Sequence, residues 1–174
     1  MKSVLATIRL FRPVNLLLGG MMVTVTAALV DALNQTDLLM KGTFVVMSFT
    51  AAANAFNDYR DLETDKINRT NRPLPRGDLA PETALILSIL LFMIGTGISF
   101  TINTGAFIIA AVVALPLMVV YSLWLKGTIL IGNMIVAVII GLSFVFAGAL
   151  FGELDRMIMP SLLAFGFTMV REFI

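Results

Sequence analysis

Apolar runs about twenty residues long, separated by short polar stretches, dominate the chain. Five are complete: Asn15 to Val30, Leu38 to Phe56, Ala84 to Ile102, Gly105 to Leu125 and Ile129 to Phe151. A sixth starts at Met157 and runs to the last residue. A hydrocarbon layer about 30 Å thick takes roughly 20 helical residues to cross, so each run has the length of one membrane span. Backbone groups in lipid need partners within their own segment, which selects helices, and no apolar/polar alternation suggests barrel strands. The pattern predicts an all-α, multi-pass transmembrane helical bundle of about six helices, forming a single domain over residues 1–174.

Composition agrees and narrows the chemistry. The chain is 59% hydrophobic and 13% charged, whereas soluble domains average about 45–50% apolar and about 25% charged residues. Cysteine and histidine are absent. Disulfides, thiolate nucleophiles, imidazole bases and the usual zinc or haem ligands are therefore excluded, and any metal would be held by oxygen. Gly19-Gly20-Met21-Met22 leads onward into further apolar runs without a signal-peptide cleavage site. The net charge of +1 carries no signal for nucleic acid, and none is expected as a partner.

The distribution of charge says more than its total. If the runs cross alternately, then the N-terminus, the loop from Asn57 to Thr83, the turn at Lys126 and Arg171 share one side. That side holds ten of the twelve Lys and Arg residues, leaving Lys41 and Arg156 opposite. Lys and Arg concentrate in cytoplasmic loops. The chain is thus expected to be integral to the cell membrane, with its N-terminus and its charged loops in the cytoplasm.

One stretch, Asn54 to Pro73, collects acids and bases together. If the second helix continues through it at about 100° per residue, Asn54, Asp58, Asp61 and Asp65 fall in one narrow stripe, with Asn57 beside Asp61 at i to i+4. Like charges that close repel unless a cation lies among them. Carboxylate and amide oxygens suit a hard cation, and Mg²⁺ in particular shares its sites among carboxylates, waters and substrate phosphates. Asn57, Asp58, Asp61 and Asp65 are the candidate ligands. Lys66, Arg69, Arg72 and Arg76 follow, and Pro73, Pro75 and Gly77 turn the loop back. Arginine forks match phosphate oxygens, so a diphosphate between metal and guanidinium groups fits this arrangement. A simpler use of the same charges is topological anchoring or contact with anionic headgroups.

Asn57-Asp58-Tyr59-Arg60-Asp61-Leu62-Glu63-Thr64-Asp65 followed by Asn71-Arg72-Pro73-Leu74-Pro75 resembles the first aspartate-rich motif of the UbiA superfamily of intramembrane prenyltransferases. Arg9-Leu10-Phe11-Arg12-Pro13-Val14-Asn15, Tyr121-Ser122-Leu123-Trp124-Leu125-Lys126 and Gly132-Asn133 extend the likeness, and these stretches look most like the branch that makes ether lipids. The resemblance implies Mg²⁺-assisted loss of diphosphate from an allylic prenyl donor, followed by attack of an acceptor that is geranylgeranylglyceryl phosphate in the ether-lipid branch or an aromatic ring in others. It implies Asn57, Asp61 and Asp65 as direct or water-mediated metal ligands, with Asp61, Asp65, Lys126 and Tyr121 carrying the chemistry. Arg69, Arg72 and Lys126 would contact phosphate, and Asn54 would border the substrate. Arg9 and Arg12 would bind the acceptor phosphate or anchor topology; Asn133 would line the site or cap its helix; Tyr121 would serve the site or the membrane interface. Superfamily members have nine transmembrane helices and a second aspartate-rich motif after the sixth. An Arg-Glu pair such as Arg171-Glu172 leads into it, so the domain is expected to be incomplete at its C-terminus and not to enclose a transition state alone. A transporter, or an assembly factor that uses the loop for docking, is the competing class.

Overall fold

A computed structural model describes residues 2–173, and all the regular structure among them is helical. Helix α1 spans Lys2–Phe11 and α2 spans Pro13–Leu29, meeting at a bend of 48°. The sequence pattern suggested a first helix starting at Asn15; the helix instead begins at Pro13 and has a second helix in front of it. Proline disfavours the α region for the residue before it, yet its own missing N–H is harmless at a first helical position. Arg12 leaves the helical region but sits in the left-handed one, at φ 55°, and the chain turns there.

Helix α3 spans Thr36–Arg60, α4 Leu62–Asn68, α5 Pro81–Phe100, α6 Thr104–Leu125, α7 Ile129–Phe151 and α8 Leu154–Phe173. By length and composition α3, α5, α6 and α7 can each cross a membrane, and α1 with α2 makes a fifth, bent crossing. The sixth apolar run forms α8, which is 20 residues long. Asp155 and Arg156 in its first turn and Arg171 in its last dilute its apolar character. The chain is an integral membrane protein.

Lipid is as apolar as a leucine side chain, so membrane helices associate through close packing rather than through the hydrophobic effect. Val45, Phe49 and Ala52 of α3 meet Phe92 of α5, Ala106 and Ala110 of α6 and Phe146 of α7 in one core. A second cluster lies at the charged end. There Ala6 and Leu10 of α1, Ala55 of α3 and Ala84 of α5 enclose Leu74 and Leu79 from the loop after α4. That loop is therefore packed down on the bundle, with Gly77 supplying a left-handed turn at φ 71°.

The turn joining α6 to α7 is tightly specified. The Thr128 hydroxyl donates to the Leu125 carbonyl at 2.6 Å and accepts from the Gly132 amide at 3.0 Å, capping α7. A Cβ on Gly132 would stand 2.7 Å from the Leu125 carbonyl oxygen, a backbone atom that cannot swing aside. Gly132→Ala is expected to cost about 1–3 kcal/mol by overpacking, read as a lowered thermal midpoint in detergent. Gly127→Ala, in the same turn with open space around it, is expected to leave the midpoint unchanged.

Candidate active site

The charged stripe anticipated from the sequence bends once. Helical hydrogen bonds run from the Asp61 amide to the Asn57 carbonyl at 2.9 Å and from the Asp65 amide to the Asp61 carbonyl at 2.8 Å. Asp61 itself adopts φ −86°, ψ 1°, outside ideal helical values, so α3 ends and α4 begins on either side of it. This kink divides the acids between two sets of partners.

Asp58 and Asp65 face inward. Asp58 is 3% exposed and accepts from Nη2 of Arg12 at 2.5 Å and from Nη1 of Arg72 at 2.9 Å. Nη1 of Arg72 also donates to Asp65 at 2.6 Å. A carboxylate taken out of water needs pairing and hydrogen bonds, and two acids facing two guanidiniums meet that need. The break at Arg12 and the returning loop at Arg72 thus both close on the end of α3. Asn54 joins the same junction by donating to the Phe11 carbonyl at 3.0 Å, satisfying an acceptor at the end of α1 that has no partner within its helix.

Asp61 faces the other way and accepts a hydrogen bond from Nζ of Lys126. The last turn of α6, Tyr121–Leu125, is wound as a π-helix, closed by the Lys126 amide on the Tyr121 carbonyl at 3.0 Å. Residues five apart lie about 140° apart on an α-helix, but nearly above one another where the repeat is i to i+5. The wide turn therefore brings Tyr121 and Lys126 to one face.

Tyr121, Asn54 and Asn57 line one end of a cavity of about 490 Å³ between α2, α3, α6 and α7. Its other walls are mostly apolar, including Met22, Val46, Met118, Ile139 and Phe144. The Asn57 side-chain oxygen is buried without a hydrogen-bond partner among the described residues. An unsatisfied buried amide oxygen is costly and calls for an explanation such as a ligand. Its chemistry suits a hard cation, as do the oxygens of Asp61 and Asp65. Among the described residues, however, no three acids are gathered into a ready-made metal cage.

Arg9 and Arg69 are exposed, on α1 and just past the end of α4. Asn133 follows Gly132 in the first turn of α7. The cavity wall also includes four polar residues with no site role in the sequence reading: Asn15, Thr50, Ser143 and Arg171. Arg171 carried a usable signal, since an ionisable residue within an apolar membrane run usually faces the bundle interior or a cavity. Asn15 and Thr50 carried none, because only the packing of α2 against α3 turns them toward a common space.

A helical membrane bundle with an acid-and-base cluster beside a mostly apolar cavity defines an integral membrane protein suited to a ligand with a charged head and an apolar tail. The profile of the UbiA prenyltransferase family matches residues 6–173, and the chain belongs to that family. Prenyltransferases of this family are generally metal-dependent. Among its relatives, digeranylgeranylglyceryl phosphate synthase of Methanothermobacter thermautotrophicus is 36% identical over 96% of this chain and 58% of its own length. The synthase of the same name from Sulfurisphaera tokodaii is 41% identical over 78% of this chain and 50% of its own length. A solved structure described as concerning digeranylgeranylglyceryl phosphate synthase in membranes superposes with a TM-score of 0.86 at 26% identity, covering 99% of this chain and 60% of that one. The chain thus spans about 60% or less of the length of these relatives.

Removing the central carboxylate of the ion-pair group tests the packing of this end of the bundle. Asp58→Ala is expected to cost about 3 kcal/mol, the lower end for a broken buried pair because Arg72 keeps Asp65. The measurement is the detergent unfolding midpoint, compared with an Asp37→Ala control whose partner Lys41 is an exposed i,i+4 neighbour and whose loss is expected to cost under about 1 kcal/mol.

Proposed function

We propose that the protein transfers a prenyl group, geranylgeranyl in the favoured reading, from an allylic diphosphate to a lipid-like acceptor, geranylgeranylglyceryl phosphate, in ether-lipid synthesis. The observation that carries this reading is the Asp61–Lys126 pair one helical turn from Asn57, whose unpartnered oxygen lies at one end of a cavity with mostly apolar walls. The naming of the relatives supports the acceptor. The excess of Lys and Arg at the charged end supports a cytoplasmic site.

Asn57, Asp61 and Asp65 would hold Mg²⁺, which when bound neutralises charge on the leaving diphosphate and eases its departure. Lys126 sits beside Asp61 and donates to phosphate oxygens; Arg69 and the unshared N–H groups of Arg72 add donors. Asp58 is committed to Arg12 and Arg72, so its role is to position Arg72 rather than to ligate metal. The apolar walls receive the prenyl tail and keep water from the first prenyl carbon as positive charge builds there. The carbon–oxygen bond to diphosphate breaks with its electrons leaving on the diphosphate. An acceptor hydroxyl oxygen then bonds to that carbon, and its proton passes to an oxygen of the departing diphosphate.

The test uses membranes from cells expressing the gene that encodes this chain, supplied with geranylgeranyl diphosphate, Mg²⁺ and either geranylgeranylglyceryl phosphate or 4-hydroxybenzoate. Product from the glyceryl phosphate alone, abolished by EDTA, is the expected result. Asp61→Ala should lower the rate about a hundredfold or more, the scale of losing one preorganised electrostatic contact. Product from the aromatic acid alone would reassign the acceptor, and a rate indifferent to both EDTA and Asp61→Ala would sink the metal site.

A further inference from the structure

The large cavity does not end at its own walls. Through Val46, Thr50, Met118, Ile139 and Ser143, which line both spaces, it leads into a slot of only about 40 Å³. On all three helices the slot lies farther from the charged end. Along α3 the lining passes from Asn57 to Val45, along α6 from Tyr121 to Ile109, and along α7 from Val136 to Phe146. With a rise of 1.5 Å per residue, Phe49 stands about 12 Å below Asn57 and Val45 about 18 Å below it. The slot offers less than a tenth of the space of the cavity above it, about 40 Å³ against about 490 Å³, so the passage narrows sharply there.

Two aromatic rings make its floor. Phe49 and Phe146 line the slot and are each 4% exposed. The Phe49 ring cannot retreat, because Phe92 meets it edge to face at 5.4 Å and 89°. Behind it lies Gly95, where even a Cβ would come within 2.7 Å of the ring. We infer that Phe49 and Phe146 are specificity-determining residues whose rings stop the prenyl tail and set the longest donor the protein accepts. The inference rests on the proposed placement of the tail in this cavity. Gly95 acts through Phe49, fixing how far the ring projects.

Purified protein in detergent is titrated with geranyl, farnesyl, geranylgeranyl and geranylfarnesyl diphosphates, and affinities are read from ligand-induced shifts in the unfolding midpoint. Phe49→Ala and Phe146→Ala should each raise binding of geranylfarnesyl relative to geranylgeranyl diphosphate about tenfold, because several methylene-sized groups regain apolar surroundings. Gly95→Ala should do the reverse at the next step, weakening geranylgeranyl relative to farnesyl diphosphate, since the added methyl drives the ring into the slot. Phe49→Leu, milder in volume, serves where an alanine variant does not assemble. Unchanged ratios in variants that bind geranylgeranyl diphosphate normally would overturn the floor while leaving the donor site intact. No binding of any donor by the parent protein would instead overturn the reading of the cavity, and the floor with it.

Discussion

Asp58 projects from the end of a membrane helix into surroundings that leave it almost no water, and an ionised carboxylate so placed requires cations close by. The two that answer come from far apart in the chain: Arg12, at the break between α1 and α2, and Arg72, in the loop after α4. Satisfying one carboxylate thereby joins three segments that share no secondary structure. The left-handed backbone at Arg12 and the packed loop around Leu74 and Leu79 are the local arrangements that deliver those guanidiniums. Arg72 then reaches Asp65 as well, which fixes α4 against the same point.

That closure divides the charged end by task. Asp58, Asp65, Arg12 and Arg72 form a group whose charges cancel, and it holds the geometry of this end of the bundle. Asp61 and Lys126 pair on the other side of the kink, while Tyr121, five residues before Lys126, and Asn57, one helical turn before Asp61 and with its side-chain oxygen unpartnered, line the cavity. A cluster that were all acid would repel itself; one that were fully paired would have nothing to offer a substrate. Placing the kink at Asp61 separates the two requirements within eight residues of one helix end.

The apolar half of the site follows from how membrane helices pack. Because lipid supplies no drive to bury leucine, contact depends on small residues letting neighbours approach. Gly95 against Phe49, Gly42 against Leu150 and Gly148 against Met157 show this at three helix pairs. Between α2, α3, α6 and α7 the side chains do not close on one another, and the space left over becomes the cavity. At its narrow end stand Phe146 and Phe49, the latter held from behind by Phe92 and Gly95.

The helices that cross the membrane were legible in the sequence, because a bilayer of fixed thickness imposes a fixed run of apolar residues and the ends of α5, α6 and α7 fall within a few positions of the runs. The aspartate-rich motif was legible too, since its spacing is a local helical property that persists on both sides of Asp61. Other features depended on contacts distant in sequence. No periodicity distinguishes Asp58 from Asp61; the difference appears only when Arg12, 46 residues away, reaches the first, and Lys126, 65 residues away, reaches the second. The break at Arg12 was hidden because Pro13 is equally at home inside the start of a straight span. Asn15, Thr50 and Phe49 gained their places from the packing of neighbouring helices. Covalent sequence determines which segments enter the membrane and which carry charge, since each transfer is a local balance with solvent. Which side chains share a site is decided by tertiary structure, because pairing energies depend on distances that only the assembled helices set.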